Sequence, residues 1–325
     1  MWAYLARRLM QSAGVVFVMA TIVFFGVNVI GNPVDILINP EFTEAEYQAA
    51  IKALGLHLPL YEQYFVFLSN AFKGNLGISF VWGEPALRLI AQRMPATLEL
   101  AFAALMIAVV LGIPLGMYAG NKPDSWVSKT IMSGSILGFS LPTFWVGIMM
   151  IMLFAVMLGI LPSTGRGDTV EMFGIQWSFL TLDGWSHLLM PAVNLALLKL
   201  SMVIRLARAG TREVMQQDYI KFARAKGLAR PRIIRVHVFK NIMIPVVTVL
   251  GLELGSLIAF SVVTESVFAW PGMGKLIIES IQVLDRPVVV AYLMMTVLMF
   301  VTINLVVDVL YSLLDPRVRV GGEAK

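Results

Sequence analysis

The ionisable residues inside long apolar stretches of this chain include Glu253 within Met243–Thr264 and Lys199 within His187–Ile204. An acidic side chain at bilayer depth costs on the order of 2.5–3.5 kcal/mol, so Glu253 is expected to face protein or water rather than lipid. Two readings follow. Glu253 lines a translocation pathway, together with Ser256 and Lys199, or it makes a structural bond to a polar group on a neighbouring helix, with Lys199 the candidate. Lys199 has the further option of snorkelling to the interface. The small residues Gly251, Gly255 and Ala259 recur every fourth position on the same stretch and suit close helix packing, as do Gly112 and Gly116, and Gly134 and Gly138.

Other groupings that could do chemistry fail on spacing. Pro271-Gly272-Met273-Gly274-Lys275 resembles the end of a phosphate loop, but the pattern needs glycine five residues before its Gly-Lys pair and Ser or Thr after the lysine. Here those positions hold Ala269 and Leu276. The three histidines, His57, His187 and His237, lie in separate segments with no His-x-x-x-His or Glu-x-x-His pairing, so no metal site is expected. The absence of cysteine excludes disulfides, thiolate zinc and a cysteine nucleophile. No catalytic residue is expected.

The elements that must position these residues follow from composition. Of 325 residues, 58% are hydrophobic and only 14% charged, with a mean hydropathy of +0.80. A soluble domain averages roughly 45–50% apolar and about 25% charged. One compact core cannot hide this excess, so the chain reads as all-helical and integral to a membrane. About 20 apolar residues cross the hydrocarbon core. Six stretches qualify: Leu9–Ile30, Ala96–Gly120, Gly134–Ile160, His187–Ile204, Met243–Thr264 and Val288–Leu310. The third contains Pro142 and is expected to divide into a short helix and the true span; the fourth is the weakest, with Pro191, Asn194 and Lys199. The first is read as a retained anchor rather than a cleaved signal. With the N-terminus inside, the inner segments hold seventeen Lys and Arg and the outer ones seven, so both termini are expected in the cytoplasm. The pI of about 9.5 reflects this asymmetry rather than a nucleic-acid footprint.

These spans divide the chain into an anchor helix (1–30), an outer cap segment (31–95) with amphipathic patterning in Thr43–Leu54 and Tyr61–Phe72, a transmembrane core (96–314) and an inner tail (315–325). Within the core, the basic inner segment Arg205–Lys240 is the most informative. Asp218 is expected as an N-cap, Gly227 as the positive-φ residue that stops a helix, and Pro231 in the first turn of the next helix. The short helix so defined carries Tyr219, Phe222 and Ala223 on one side, with small residues Ala223, Ala225 and Gly227. It suits insertion into a groove on a partner, or equally a basic helix lying on anionic lipid.

Asp218-Tyr219, Ala223-x-Ala225-x-Gly227-Leu228, His237, Asn241 and Pro245 resemble the coupling loop of ABC importer permeases, in particular the dipeptide/oligopeptide/nickel branch. The resemblance extends along the chain, through Leu60-Tyr61-Glu62-Gln63-Tyr64, Gly74-Asn75-Leu76-Gly77-Ile78-Ser79, Arg93–Leu100, Leu141-Pro142-Thr143-Phe144-Trp145, Glu265–Gly274 and Leu314-Asp315-Pro316-Arg317. It implies a type I importer permease fold with a small outer helical domain. It also implies a second similar permease as heterodimer partner, two ATPase subunits that use ATP and magnesium, and an extracytoplasmic solute-binding protein. The chain itself would bind no cofactor. The residues gripped by an ATPase would be Asp218, Tyr219, Phe222, Ala223, Ala225, Lys226 and Gly227. Solutes of the branch include di- and oligopeptides, glutathione, nickel chelates, opines and sugars. A stand-alone channel or transporter, or an intramembrane enzyme, would have no need of such a docking helix.

Overall fold

A computed structural model of the chain describes residues 2–29, 45, 48, 51–52 and 57–314. The tail 315–325 lies outside the described residues, as does most of the helix expected over Thr43–Leu54. In chain order the helices are α1 (Trp2–Val29), α2 (Leu60–Phe72), α3 (Ala86–Asn121), α4 (Trp126–Ser140) and α5 (Thr143–Met150), which continues as a π-helical stretch, Ile151–Met157. After a hairpin, β1 (Val170–Met172) and β2 (Ile175–Trp177), come α6 (Leu182–Gln216) and α7 (Asp218–Ala225). Then α8 (Arg230–Arg232) leads through π-helical Ile233–Val238 into α9 (Phe239–Val267), followed by α10 (Met273–Gln282) and α11 (Arg286–Leu314).

Among the described residues, five segments are long and apolar enough to cross a bilayer: Ala6–Val27, Ala86–Asn121, Leu182–Gln216, Pro245–Val267 and Arg286–Val309. The third apolar stretch of the sequence is broken, with α4 and α5 meeting at 105°. Pro142 causes the break: it cannot donate the backbone bond, and it pushes Leu141 into extended geometry (ψ 137°). The fourth segment, weakest in the sequence, is a continuous 35-residue helix. Its awkward residues are accommodated within the bundle: Pro191 is buried, Asn194 Nδ2 donates to Thr264 Oγ1 (3.2 Å), and Lys199 is paired with Glu253. Its helix also runs on to Gln216, so the first dozen residues of the expected inner loop are helical.

The chain divides into two compact units, Met1–Pro95 with Pro271–Leu305, and Ala96–Trp270 with Val306–Lys325. In the first, Phe24, Phe25, Tyr64 and Phe67 join α1 to α2 with ring centroids 5.3–5.9 Å apart, and Thr21 Oγ1 lies 2.7 Å from Tyr64 OH. Asp285, fully buried, accepts from the Ser79 hydroxyl and from the Phe80 N–H (3.2 Å), closing the Gly74–Ser79 turn onto the start of α11.

In the second unit, α3 lies against α6 at backbone distance. A Cβ placed on Gly116 would lie 2.5 Å from the Ile204 carbonyl oxygen, and one on Gly120 2.7 Å from that of Arg208. Gly112 meets Val203 in the same row. The small-residue stripe expected at Gly112 and Gly116 is thus a seam that only glycine permits. Gly134 and Gly138 are not such a seam: nothing lies within 4 Å of a Cβ on Gly134, and Gly138 has only Leu197 at 4.0 Å. On α9, Gly251 packs tightly on Val307, whereas Ala259 at the end of its stripe is exposed.

The hairpin is a departure from all-helical structure. Phe173 and Gly174 both take positive φ (57° and 75°), the requirement of the two-residue turn that matches strand twist. The preceding loop is tied to the helices through Glu99. This buried carboxylate accepts from Arg166 Nη2 (2.6 Å) and Nε (3.1 Å), and from the backbone N–H groups of Ser178 (2.9 Å) and Phe179 (2.8 Å). A buried carboxylate is tolerated when charge and hydrogen bonds are matched in this way.

Candidate functional site

The segment Gln217–Pro231 folds as a short helix between two long ones. Its N-cap is Gln217 rather than Asp218, which stands at the first helical position with no capping bond. Asp218 instead accepts from Lys221 Nζ (2.8 Å). That hydrogen bond, and then the lysine's charge, hold the Asp218 carboxyl below its ordinary range. The helix stops as the glycine requires. Gly227 has φ +76°, its N–H donates to the Arg224 carbonyl (2.9 Å), and the Leu228 N–H reaches back to the Ala223 carbonyl (3.2 Å). These are the paired bonds of a Schellman cap. Pro231 sits in the first turn of α8, and Arg230 ties that turn to the end of α3 by donating to Asn121 Oδ1 (2.9 Å).

The two faces of α7 do different work. Ile220 (0% exposed) and Ala223 (6%) join a buried cluster with Val203, Ala207, Ile233, Val238 and Ile242. Tyr219 (43%) and Phe222 (61%) are exposed, with Ala225 and Lys226 also on the open side. Lys226 Nζ lies over the Phe222 ring, 4.6 Å from its centroid. Ala223 therefore does not share the face of Tyr219 and Phe222: three residues after Ile220, it falls on the inward stripe. Ile220, which anchors the helix, could have been found from that same spacing. A cleft of about 320 Å³ adjoins Tyr219, lined by Gly210, Glu213, Gln217, Asn241 and Pro245 among others.

The intramembrane charges come together. Lys199 Nζ on α6 donates to Glu253 Oε2 on α9, and the Ser256 hydroxyl lies 2.7 Å from both. The side chains of Lys199 and Glu253 are 13% and 25% exposed. All three residues named for the pathway thus form one cluster, and the candidate structural partner of Glu253 is its actual partner.

Residues of distant sequence motifs also meet. Thr97 Oγ1 donates to buried Glu265 Oε1 (2.7 Å), Ser261 donates to the same oxygen (2.9 Å), and Trp270 Nε1 donates to the Ala96 carbonyl (2.9 Å). The Arg166 guanidinium lies over the Trp270 ring (5.8 Å). No local sequence signal marked Arg166. Glu99 itself lies in the wall of an apolar cavity of about 760 Å³ bordered by α3 and α6 and lined by Phe102, Met106, Trp177, Trp185, Leu188 and others.

The chain is thus a helical, multi-span protein whose short helix α7 is rooted in the core on one face and open on the other. The pattern of the binding-protein-dependent transport system inner membrane component family matches residues 112–320, and that of the family's N-terminal region matches residues 1–101. The chain belongs to this family. It is 36% identical to the di/tripeptide transport system permease protein DppB of Pseudomonas aeruginosa over 98% of this chain and 99% of that one. It is 38% identical to the probable D,D-dipeptide transport system permease protein DdpB of Escherichia coli, over 99% and 98%. It is 34% identical to the Escherichia coli glutathione transport system permease protein GsiC, over 97% and 98%. In fold it resembles a chain of the MetNI methionine ABC transporter, solved in inward-facing conformations, with a TM-score of 0.53, 17% identity and coverage of 70% of this chain and 96% of that one. The protein is a multi-pass inner-membrane permease subunit of an ABC importer, a non-enzymatic component that works with ATPase and substrate-binding components.

Proposed function

We propose that this chain is one of two similar permease subunits that together enclose a pathway for di- or oligopeptides, with the N- and C-termini in the cytoplasm. Two ATPase subunits, which carry the ATP and magnesium, grip the open face of α7 through Asp218, Tyr219, Phe222, Ala225 and Lys226. An extracytoplasmic solute-binding protein delivers the peptide. The observation that carries the coupling role is the division of α7 into a buried face (Ile220, Ala223) and an open aromatic face (Tyr219, Phe222). A helix rooted in the core on one side transmits a push on the other to α6 and α9, which pack against the same cluster. Alternating access needs such a lever and a bundle with two packings, not a catalytic group. The peptide substrate is supported by relatives 36–38% identical over nearly the whole chain that are named for di-, tri- and D,D-dipeptides. Inner orientation is supported by the concentration of Lys and Arg in residues 205–240. Purification of the tagged chain from membranes in mild detergent tests the assembly. Recovery of a second multi-span protein with ATPase subunits supports it, and a stable preparation of this chain alone refutes it. Uptake of labelled dipeptide by the recovered complex in vesicles, outcompeted by unlabelled dipeptide and not by nickel chelates or sugars, tests the substrate.

A further inference from the structure

The Lys199–Glu253–Ser256 cluster lies within two helices long and apolar enough to span the membrane. Replacing a buried ion pair by apolar side chains of similar volume is often neutral or stabilising, so packing alone does not call for two charges here. Nor is the pair sealed, since a quarter of the Glu253 side chain is open. Ionised groups at this depth are not left open to hydrocarbon, so the open side must face water or protein. Ser256 sits on an open strip of α9 with Leu252, Ala259, Phe260 and Val263, at spacings of four, three, one and three residues, which keep one helix face.

From this geometry we infer that the cluster is a charge-exchange site for zwitterionic solutes. A solute ammonium takes the Glu253 carboxylate in place of Lys199, and a solute carboxylate takes the Lys199 ammonium in place of Glu253. Ser256, already 2.7 Å from both charges, accepts from one partner and donates to the other. The exchange leaves no charge unpaired: one internal pair becomes two pairs with the solute, and the net charge at bilayer depth stays zero. A solute carrying only one charge opens the pair and strands the other protein charge, which is costly in this environment. The site therefore favours peptides with free amino and carboxyl ends over capped ones. This inference rests on the peptide reading above.

The test uses the assembled importer in vesicles with ATP, comparing uptake of dialanine, N-acetyl-dialanine and dialanine amide by the parent protein, Lys199→Met, Glu253→Gln and the double variant. The parent is expected to prefer dialanine. Lys199→Met should erase the preference over the amide and Glu253→Gln the preference over the acetylated form. The double variant should assemble yet lose about tenfold or more of dialanine uptake, the scale of a charge-assisted hydrogen bond. An assembled double variant with the parent's rate and ranking overturns the exchange site and leaves the peptide reading standing. A parent that takes up none of the three overturns the peptide reading and the exchange site with it. If the double variant does not assemble, the neutral pair Lys199→Gln/Glu253→Gln, which keeps a hydrogen bond between the helices without either charge, decides. Assembly without uptake supports the exchange site, whereas full uptake, or failure to assemble, assigns the pair to packing and overturns it.

Discussion

Gly227 offers a graded test of whether α7 acts as a lever. Its φ of +76° lies in the left-handed region, and a Cβ built there meets nothing within 4 Å. Substitution therefore brings no clash, only the backbone penalty of an L-residue in that conformation, roughly 1–2 kcal/mol. Asparagine pays less, because its short polar side chain tolerates this region, and a β-branched valine pays most. A penalty of one to two kcal/mol changes a local equilibrium by about 5–30-fold. The alternative state gives up the bonds from Gly227 N–H to Arg224 and from Leu228 N–H to Ala223, unwinding the C-terminal end of α7. The inward anchors Ile220 and Ala223 remain in the core, so the chain still folds and assembles. ATP hydrolysed per peptide imported should rise in the order Gly, Asn, Ala, Val, with unchanged recovery of the complex. Equal coupling in Val and Gly variants would refute the lever, as would losses that simply follow assembly.

Four further outcomes are expected. Ala225→Trp, on the open face of α7, should leave membrane insertion and thermal stability unchanged while abolishing uptake. Gly116→Ala should destabilise by about 1–3 kcal/mol, because its Cβ would lie 2.5 Å from the Ile204 carbonyl, while Gly134→Ala, with open space around it, should be neutral or stabilise by roughly 0.5–1 kcal/mol; melting in detergent compares the two. Glu99→Gln should cost about 3 kcal/mol by leaving the Arg166 guanidinium short of its partner, and should speed tryptic cleavage after Arg166; Glu99→Met should cost more, because it also removes the acceptor of the Ser178 and Phe179 N–H groups. Ala269→Gly should stabilise by about 1 kcal/mol, since Ala269 ends α9 at φ +48° and glycine carries no penalty there; a raised melting temperature checks it.

The hairpin and the long α6 show where sequence patterning misleads. Val170–Trp177 is too short for its alternation to stand out, and its turn is Phe-Gly rather than the usual Asn-Gly or Asp-Gly. In α6, Pro191, Asn194 and Lys199 lower the local hydropathy, yet Asn194 Nδ2 and Lys199 Nζ find partners on α9. The sequence reading groups Ala223 with Tyr219 and Phe222 on one side of α7, whereas the helical stripe it shares with Ile220 turns it inward. Small-residue spacing was an uneven guide as well: Gly112 and Gly116 mark a true seam, and Gly134 and Gly138 do not. Spacing says which residues share a face, not whether a neighbouring helix comes to that face.

Sequence by itself determined the membrane class, the six apolar stretches, the break at Pro142 and the stop at Gly227, because these depend on local terms: transfer of apolar groups, a missing N–H and the φ range of one residue. Only the tertiary structure decided which polar groups meet. Lys199 and Glu253 are 54 residues apart, Glu99 and Arg166 67, Thr97 and Glu265 168, and Ser79 and Asp285 206. Each pairing depends on the relative depth and rotation of separate segments, and that register is set by how all their side chains pack at once.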